Sequence, residues 1–122
     1  MKTSLCAQVE YILHENVDFV SGNKITPRPF KKLVSLILED IAIYTAQSSN
    51  PDAGLLITET LKIKIKESDA SEIMSLANKY FILLCHTSNG TFIFGTLDYP
   101  ATLSFSSDKQ VVTLTFSSVN SN

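Results

Sequence analysis

Hydrophobic positions in this chain recur mostly at intervals of two. From Thr60 to Lys66 the order Thr-Leu-Lys-Ile-Lys-Ile-Lys places Leu61, Ile63 and Ile65 on one side of an extended backbone and Lys62, Lys64 and Lys66 on the other. That is the alternation of a strand with one buried and one wet face. Such strands belong to antiparallel sheets, since strands of an all-parallel sheet are covered on both sides. The same period predicts a strand over residues 5–13, with Leu5, Ala7, Val9, Tyr11 and Leu13 opposed to Cys6, Gln8, Glu10 and Ile12. Residues 33–46 fit two periods: Leu33, Leu36, Ile37, Ile41 and Tyr44 suit a helical face, whereas Ile41, Ile43 and Thr45 suit a strand. The β-branched residues Val34, Ile37, Ile41, Ile43 and Thr45 favour a strand, with a bulge near Glu39-Asp40.

The helical period is clear at one place. Ile73, Leu76, Ala77 and Tyr80 are spaced by three and four, and Asp69-Ala70-Ser71-Glu72 before them has the form of a capping box, so a helix over about residues 69–79 should lie across a sheet face. Turn formers mark the loops. Ser21-Gly22-Asn23-Lys24 through Pro27-Arg28-Pro29 reads as a long loop, because two prolines one residue apart oppose helix and central-strand pairing; Ser48 to Gly54 reads as a second loop. After the helix the chain reads as a meander. Residues 81–85 are apolar on both faces, Ser88-Asn89-Gly90 is a hairpin turn with Asn-Gly supplying positive φ, and residues 91–95 return. Beyond Tyr99-Pro100, residues 102–106 and 111–116 pair around Asp108-Lys109. The tail at 117–122 is rich in serine and asparagine and is expected to fray. These elements define a single domain over residues 1–122 of the α+β class, mostly antiparallel β.

Composition narrows the class. At 122 residues, 44% hydrophobic and 18% charged, the chain suits one folded body with its own core rather than a disordered tail or coiled coil. Ten basic and twelve acidic residues give a net charge of −2, which argues against nucleic acid as a direct ligand. No apolar run is long enough to span a bilayer, and Gln8 and Glu10 interrupt the apolar stretch a signal peptide would need, so a cytoplasmic protein is expected. Cys6 and Cys85 lack Cys-x-x-Cys spacing and read as buried, reduced thiols.

Candidate chemistry is sparse. Cys85 and His86 are adjacent on a strand and point to opposite faces, so they cannot form a catalytic dyad; a cysteine enzyme centred on Cys85 would need His14 and nearby carboxylates brought in by tertiary contact. His14-Glu15 with Asp18 offers nitrogen and oxygen donors without the spacing of a closed metal site, and Asn50, Asp52 and Gly54 lack the full calcium-loop series. No phosphate-binding glycine loop or nucleophile elbow is present. The reading is non-enzymatic, with no cofactor and no metal. Lys62, Lys64 and Lys66 form a basic row about 7 Å apart along one face, without the interleaved rings of a single-strand nucleic-acid binder; a solubilising face that also discourages edge pairing is the favoured meaning. Phe92, Phe94, Phe105 and Phe116 supply core area. Because Phe92-Ile93-Phe94 is apolar on both faces, it calls for a second layer, either the helix or another subunit. Lys62, Lys64, Lys66, Phe92 and Phe94 are the candidate interaction surface.

The run from Lys79 to Gly95, KYFILLCHTSNGTFIFG, followed by Tyr99-Pro100-Ala101-Thr102-Leu103-Ser104-Phe105 and Leu114-Thr115-Phe116, resembles small structural proteins of bacteriophage and prophage tails. The resemblance spans about residues 54–118. Its landmarks are the Asn89-Gly90 turn, Gly95, Tyr99-Pro100 and the approach from Gly54 to Leu61. It implies a β-sandwich or partial barrel with one flanking helix, in a tail-tube-like subunit that assembles with its own copies or other virion-type subunits, and a location in the particle after assembly. It also implies that the loops at 16–29 and 47–54 are subunit-contacting arms. The chain lacks the strongly acidic inner face of a DNA-passing tube, which leaves room for a tail accessory or chaperone-like role. The expected function is therefore a self-associating structural subunit, with a small protein-binding module using a sheet edge as the alternative.

Overall fold

A computed structural model of the chain describes residues 2–49 and 55–121. Within them lie β1 (Lys2–Cys6), β2 (Gln8–Leu13), β3 (Val17–Ser21), β4 (Lys24–Pro27), β5 (Val34–Ser35), β6 (Ala42–Ser49), β7 (Leu56–Lys66), α1 (Ser71–Met74), β8 (Tyr80–Thr87), β9 (Gly90–Phe94), β10 (Ala101–Asp108) and β11 (Val111–Ser121). Nine strands form one sheet in the order β1-β6-β7-β11-β10-β8-β2-β5, with β9 added to β8, while β3 and β4 form a separate ribbon. Every pairing is antiparallel. The expected antiparallel architecture with one small helix is what the chain adopts, and the sheet does not close into a barrel.

Alternation explains why the core forms where it does. In β7, Leu61, Ile63 and Ile65 are fully buried, and in β11 so are Val112, Leu114 and Phe116. These side chains meet Cys6, Val9, Tyr11, Phe81, Leu83, Cys85 and Phe94 in one cluster. The same face of the sheet thus packs upon itself, which requires the sheet to bend strongly. Phe81 sits edge-on to both Tyr11 and Phe116, with ring centroids 5.8 and 5.3 Å apart, a favoured aromatic geometry.

The bend is visible where expectation and structure part. Residues 5–13 are two strands, not one. Cys6 and Val9 are both fully buried although three residues apart, so the inward side changes parity at Ala7. A one-residue slip of this kind sends every following side chain to the other face. β1 pairs with β6 and β2 with β8, and the Ala7 amide donates to the His86 carbonyl at 3.0 Å. Residues 33–46 are extended rather than helical, but they too are split. β5 pairs with β2, and β6 lies between β1 and β7. The crossing segment is held by Leu36 N–H to the Val9 carbonyl, 2.9 Å, and Glu39 N–H to the Lys64 carbonyl, 2.7 Å.

The expected loop at 16–29 is largely a hairpin. Gly22 takes the left-handed φ of +60° that its turn requires, and Pro27 ends β4 opposite Val17 in this two-stranded ribbon, away from the large sheet. Of the segment expected to be a second loop, residues 47–49 belong to β6 and residues 50–54 lie outside the described residues. The helix is a single turn instead of residues 69–79. Its N-cap is Ala70, with no side-chain capping bond, and Asp69 ends a preceding 3-10 turn. So short a helix is not self-sustaining; burial of Ile73, with Met74, Leu76 and Ala77 packed at the core margin, holds it in place. Tyr80, assigned to the helical stripe, begins β8 and is exposed.

The β8–β9 hairpin forms around Ser88-Asn89, with Thr87 opposite Gly90. Only Gly90 takes a positive φ there, at +129°, and the Thr87 hydroxyl secures the turn by donating to the Gly90 carbonyl and accepting the Asn89 amide. Gly95, φ +85°, is where β9 leaves the sheet; a Cβ there would lie 3.2 Å from the Ala101 nitrogen and the Phe81 oxygen. β10 and β11 turn at Lys109, φ +60°. The stretch expected to fray continues β11, paired with β7 from Ser117 opposite Thr60 to Ser121 opposite Leu56. Ser118 is buried, and its hydroxyl donates to the Tyr99 carbonyl at 2.9 Å.

Candidate interaction surface

The five residues predicted as one surface lie on opposite sides of the sheet. Lys62, Lys64 and Lys66 project from the outer face of β7 and are exposed. Phe94 is fully buried, and Phe92 packs at the core margin. Both rings rest on Tyr44, at 4.7 Å for Phe92 and 5.9 Å for Phe94, so the phenylalanines belong to the interior. The lysine strand is not an edge strand either. β7 lies between β6 and β11, so its lysines solvate a broad face instead of guarding a margin. A second layer over Ile93 comes from the chain's own β3–β4 ribbon and not from the helix. Ile93 and Leu84 pack with Ile12 and Ile82 against Val17, Val20 and Ile25 of the β3–β4 ribbon.

The ladder registers bring together a feature with no signature in the linear sequence. Thr3 is opposite Thr45, Thr45 opposite Thr60, Thr60 opposite Ser117, Ser117 opposite Thr102, and Thr102 opposite Tyr80. This line of hydroxyl-bearing side chains crosses six strands on the outer face. The parallel line runs Leu5, Ile43, Lys62, Thr115, Ser104. Neighbouring strands are about 4.8 Å apart, so the face is a regular grid, basic at β7, apolar at exposed Leu5 and Ile43, and hydroxylic elsewhere.

At one margin of this grid the sheet is incomplete. β10 is paired with β11 over residues 102–108, but with β8 only at Ala101 and Thr102. From Leu83 onward the corresponding side of β8 is taken by β9. The sheet forks there, and residues 103–108 of β10 have no ladder partner on their second side among the described residues. Ser104 to Asp108 are all exposed. Phe105, opposite the buried Leu114, points to the inner face yet remains 42% exposed, because the opposing layer ends before it. Asp108 is the sole charged residue of the margin, which contains no lysine or proline. Those are the usual protections of an open edge.

The groups considered for catalysis or metal binding are dispersed. Cys6 and Cys85 are buried together; donation to Cys6, and then burial, hold the Cys85 thiol well above its ordinary pKa. His14 Nε2 is 2.9 Å from the Leu97 carbonyl and Glu15 is 3.8 Å from Lys79 Nζ. His86, on the face opposite Cys85, is 2.9 Å from Glu10 Oε2. Thus neither histidine meets a cysteine, and among the described residues no group of three His, Cys, Asp or Glu side chains is placed to hold a metal ion. Tyr44 donates to Glu59 Oε2 at 2.7 Å; burial, then that bond and the carboxylate charge, raise its pKa beyond the normal tyrosine range. No helix among the described residues is long and apolar enough to cross a membrane. Comparison with protein-family models, curated proteins and solved structures finds no match to the chain.

Proposed function

We propose that the chain is a non-enzymatic structural subunit that self-associates, a second copy completing the open margin of β10. The carrying observation is the fork at Ala101 and Thr102, which leaves six residues of β10 unpaired on one side, the last five of them exposed. Backbone N–H and C=O groups at such a margin are a template for another strand, and half-exposed Phe105 supplies an apolar anchor beside it. The setting is the one the sequence resemblance implies, a phage or prophage tail-like particle built from copies of this chain or from related virion-type subunits, with the finer architecture a sandwich or partial barrel. The sealing of the β8–β9 outer face by the chain's own ribbon directs association to the margin rather than to that face.

Sedimentation velocity over a hundredfold range of concentration tests the reading. The expected result is mass above the monomer that grows with concentration and is lost in Phe105→Glu, with the circular dichroism spectrum unchanged. A strict monomer at every concentration overturns it. Association only with an added foreign strand, through the same margin, would support the alternative of a sheet-edge binding module.

A further inference from the structure

A trough lies where the crossing segment after β5 approaches α1. One part, about 280 Å³, is lined by Tyr11, Val34, Leu36, Ile65, Ile73 and polar side chains that include Asp69 and Glu72. A second part, about 150 Å³, shares Tyr11, Val34 and Glu72 and adds Lys32. Tyr11 is the deep polar group of both. It is only 4% exposed, and its hydroxyl makes no hydrogen bond among the described residues. No buried side-chain oxygen among the described residues lacks a partner, so the Tyr11 oxygen keeps some open surface, and Tyr11 lines both parts of the trough. Burial, and then the nearby charge of Glu72, hold the phenol neutral by raising its pKa. A phenol oxygen that keeps open surface and has no protein partner can accept a hydrogen bond from a bound donor.

We infer that the larger part of this trough is a binding site for a primary alkylammonium group, free or at the end of a lysine side chain. The charged side chains lining it, Asp69 and Glu72, are both acidic, and no basic side chain joins them. An ammonium has three donors and no acceptor, which suits two carboxylates and a phenol oxygen able to accept. The floor of Val34, Leu36, Ile65 and Ile73 receives the methylene chain. Lys32, in the smaller part, sets the limit beyond which a second cation is repelled. This site is independent of the β10 margin.

Amide chemical shifts at pH 7 and low salt, recorded during titration with n-butylammonium, Nα-acetyl-lysine methylamide and n-butanol, test the assignment. Both ammonium probes should saturate shifts at residues 34–36 and 68–73, and n-butanol should bind at least tenfold more weakly. Tyr11→Phe, which keeps the ring, and Glu72→Gln, an exposed position, should each weaken ammonium binding about tenfold, as expected for loss of one charged hydrogen bond. Binding by the lysine derivative alone would assign the site to a peptide side chain, whereas binding by both admits a free amine. Equal binding of n-butanol, no saturable shift, or unchanged affinity in Glu72→Gln overturns the inference.

Discussion

The β8–β9 and β10–β11 hairpins follow one another in the chain and end in opposite circumstances. β8 has ladder partners on both sides, and its outward side chains Ile82 and Leu84 are roofed by the β3–β4 ribbon. β10 is buried through Ala101 and Leu103 but open from Ser104 onward. Composition already separates them, since β8 is apolar on both faces from Phe81 to Cys85 whereas β10 alternates Leu103 and Phe105 with serines. The margin begins beyond Gly95, whose left-handed backbone carries the chain out of β9 before β10 pairs with β8 at Ala101 and Thr102.

The largest effect expected from disturbing the contrast is in the enclosed parts. Phe116→Ala removes a fully buried ring touching Phe81 and should lower stability by about 3–5 kcal/mol in urea unfolding. Ile82→Ala, beneath the ribbon, should cost about 2–4 kcal/mol; a much smaller loss would mean that the ribbon does not seal that face. Gly95→Ala places a Cβ against backbone atoms at a φ that side chains rarely adopt, and a loss of about 1–3 kcal/mol is expected. Tyr44→Phe, which deletes the bond to Glu59, should cost about 1 kcal/mol. Its pH signature has a definite sign. The folded pKa of Tyr44 is raised, so above about pH 10 the unfolded state loses this proton first and stability falls as pH rises; the fall should be shallower in Tyr44→Phe. Smallest of all, Lys64→Thr on the open outer face should stay within about 0.5 kcal/mol.

The sequence disclosed strongly periodic pieces and concealed their partners. β7 was legible because three lysines alternate with Leu61, Ile63 and Ile65, and the β8–β9 turn because Asn89-Gly90 punctuates two apolar runs. The β3–β4 ribbon was read as a loop because its prolines oppose a central strand, although Pro27 is tolerated in an isolated two-stranded ribbon. The slip at Ala7 leaves no mark in composition. Ser117 to Ser121 looked like a tail, but an eleven-residue β7 offers it a full-length partner, a tertiary effect that local polarity does not disclose. Of the predicted surface, the lysines were correctly placed outside. Phe92 and Phe94 were not separable from them, since which face of β9 is inner depends on the fold of the whole sheet. The β10 margin and the hydroxyl line exist only through register, which no linear pattern contains.

Amide hydrogen exchange at residues 103–108 bears most directly on the central claim, that β10 presents an open margin which a second copy fills. At micromolar concentration the amides among them that point away from β11 should exchange far faster than those of residues 111–116, and their protection should rise as concentration increases while in Phe105→Glu they stay unprotected. Strong protection in the dilute monomer, or protection indifferent to concentration, would contradict the account.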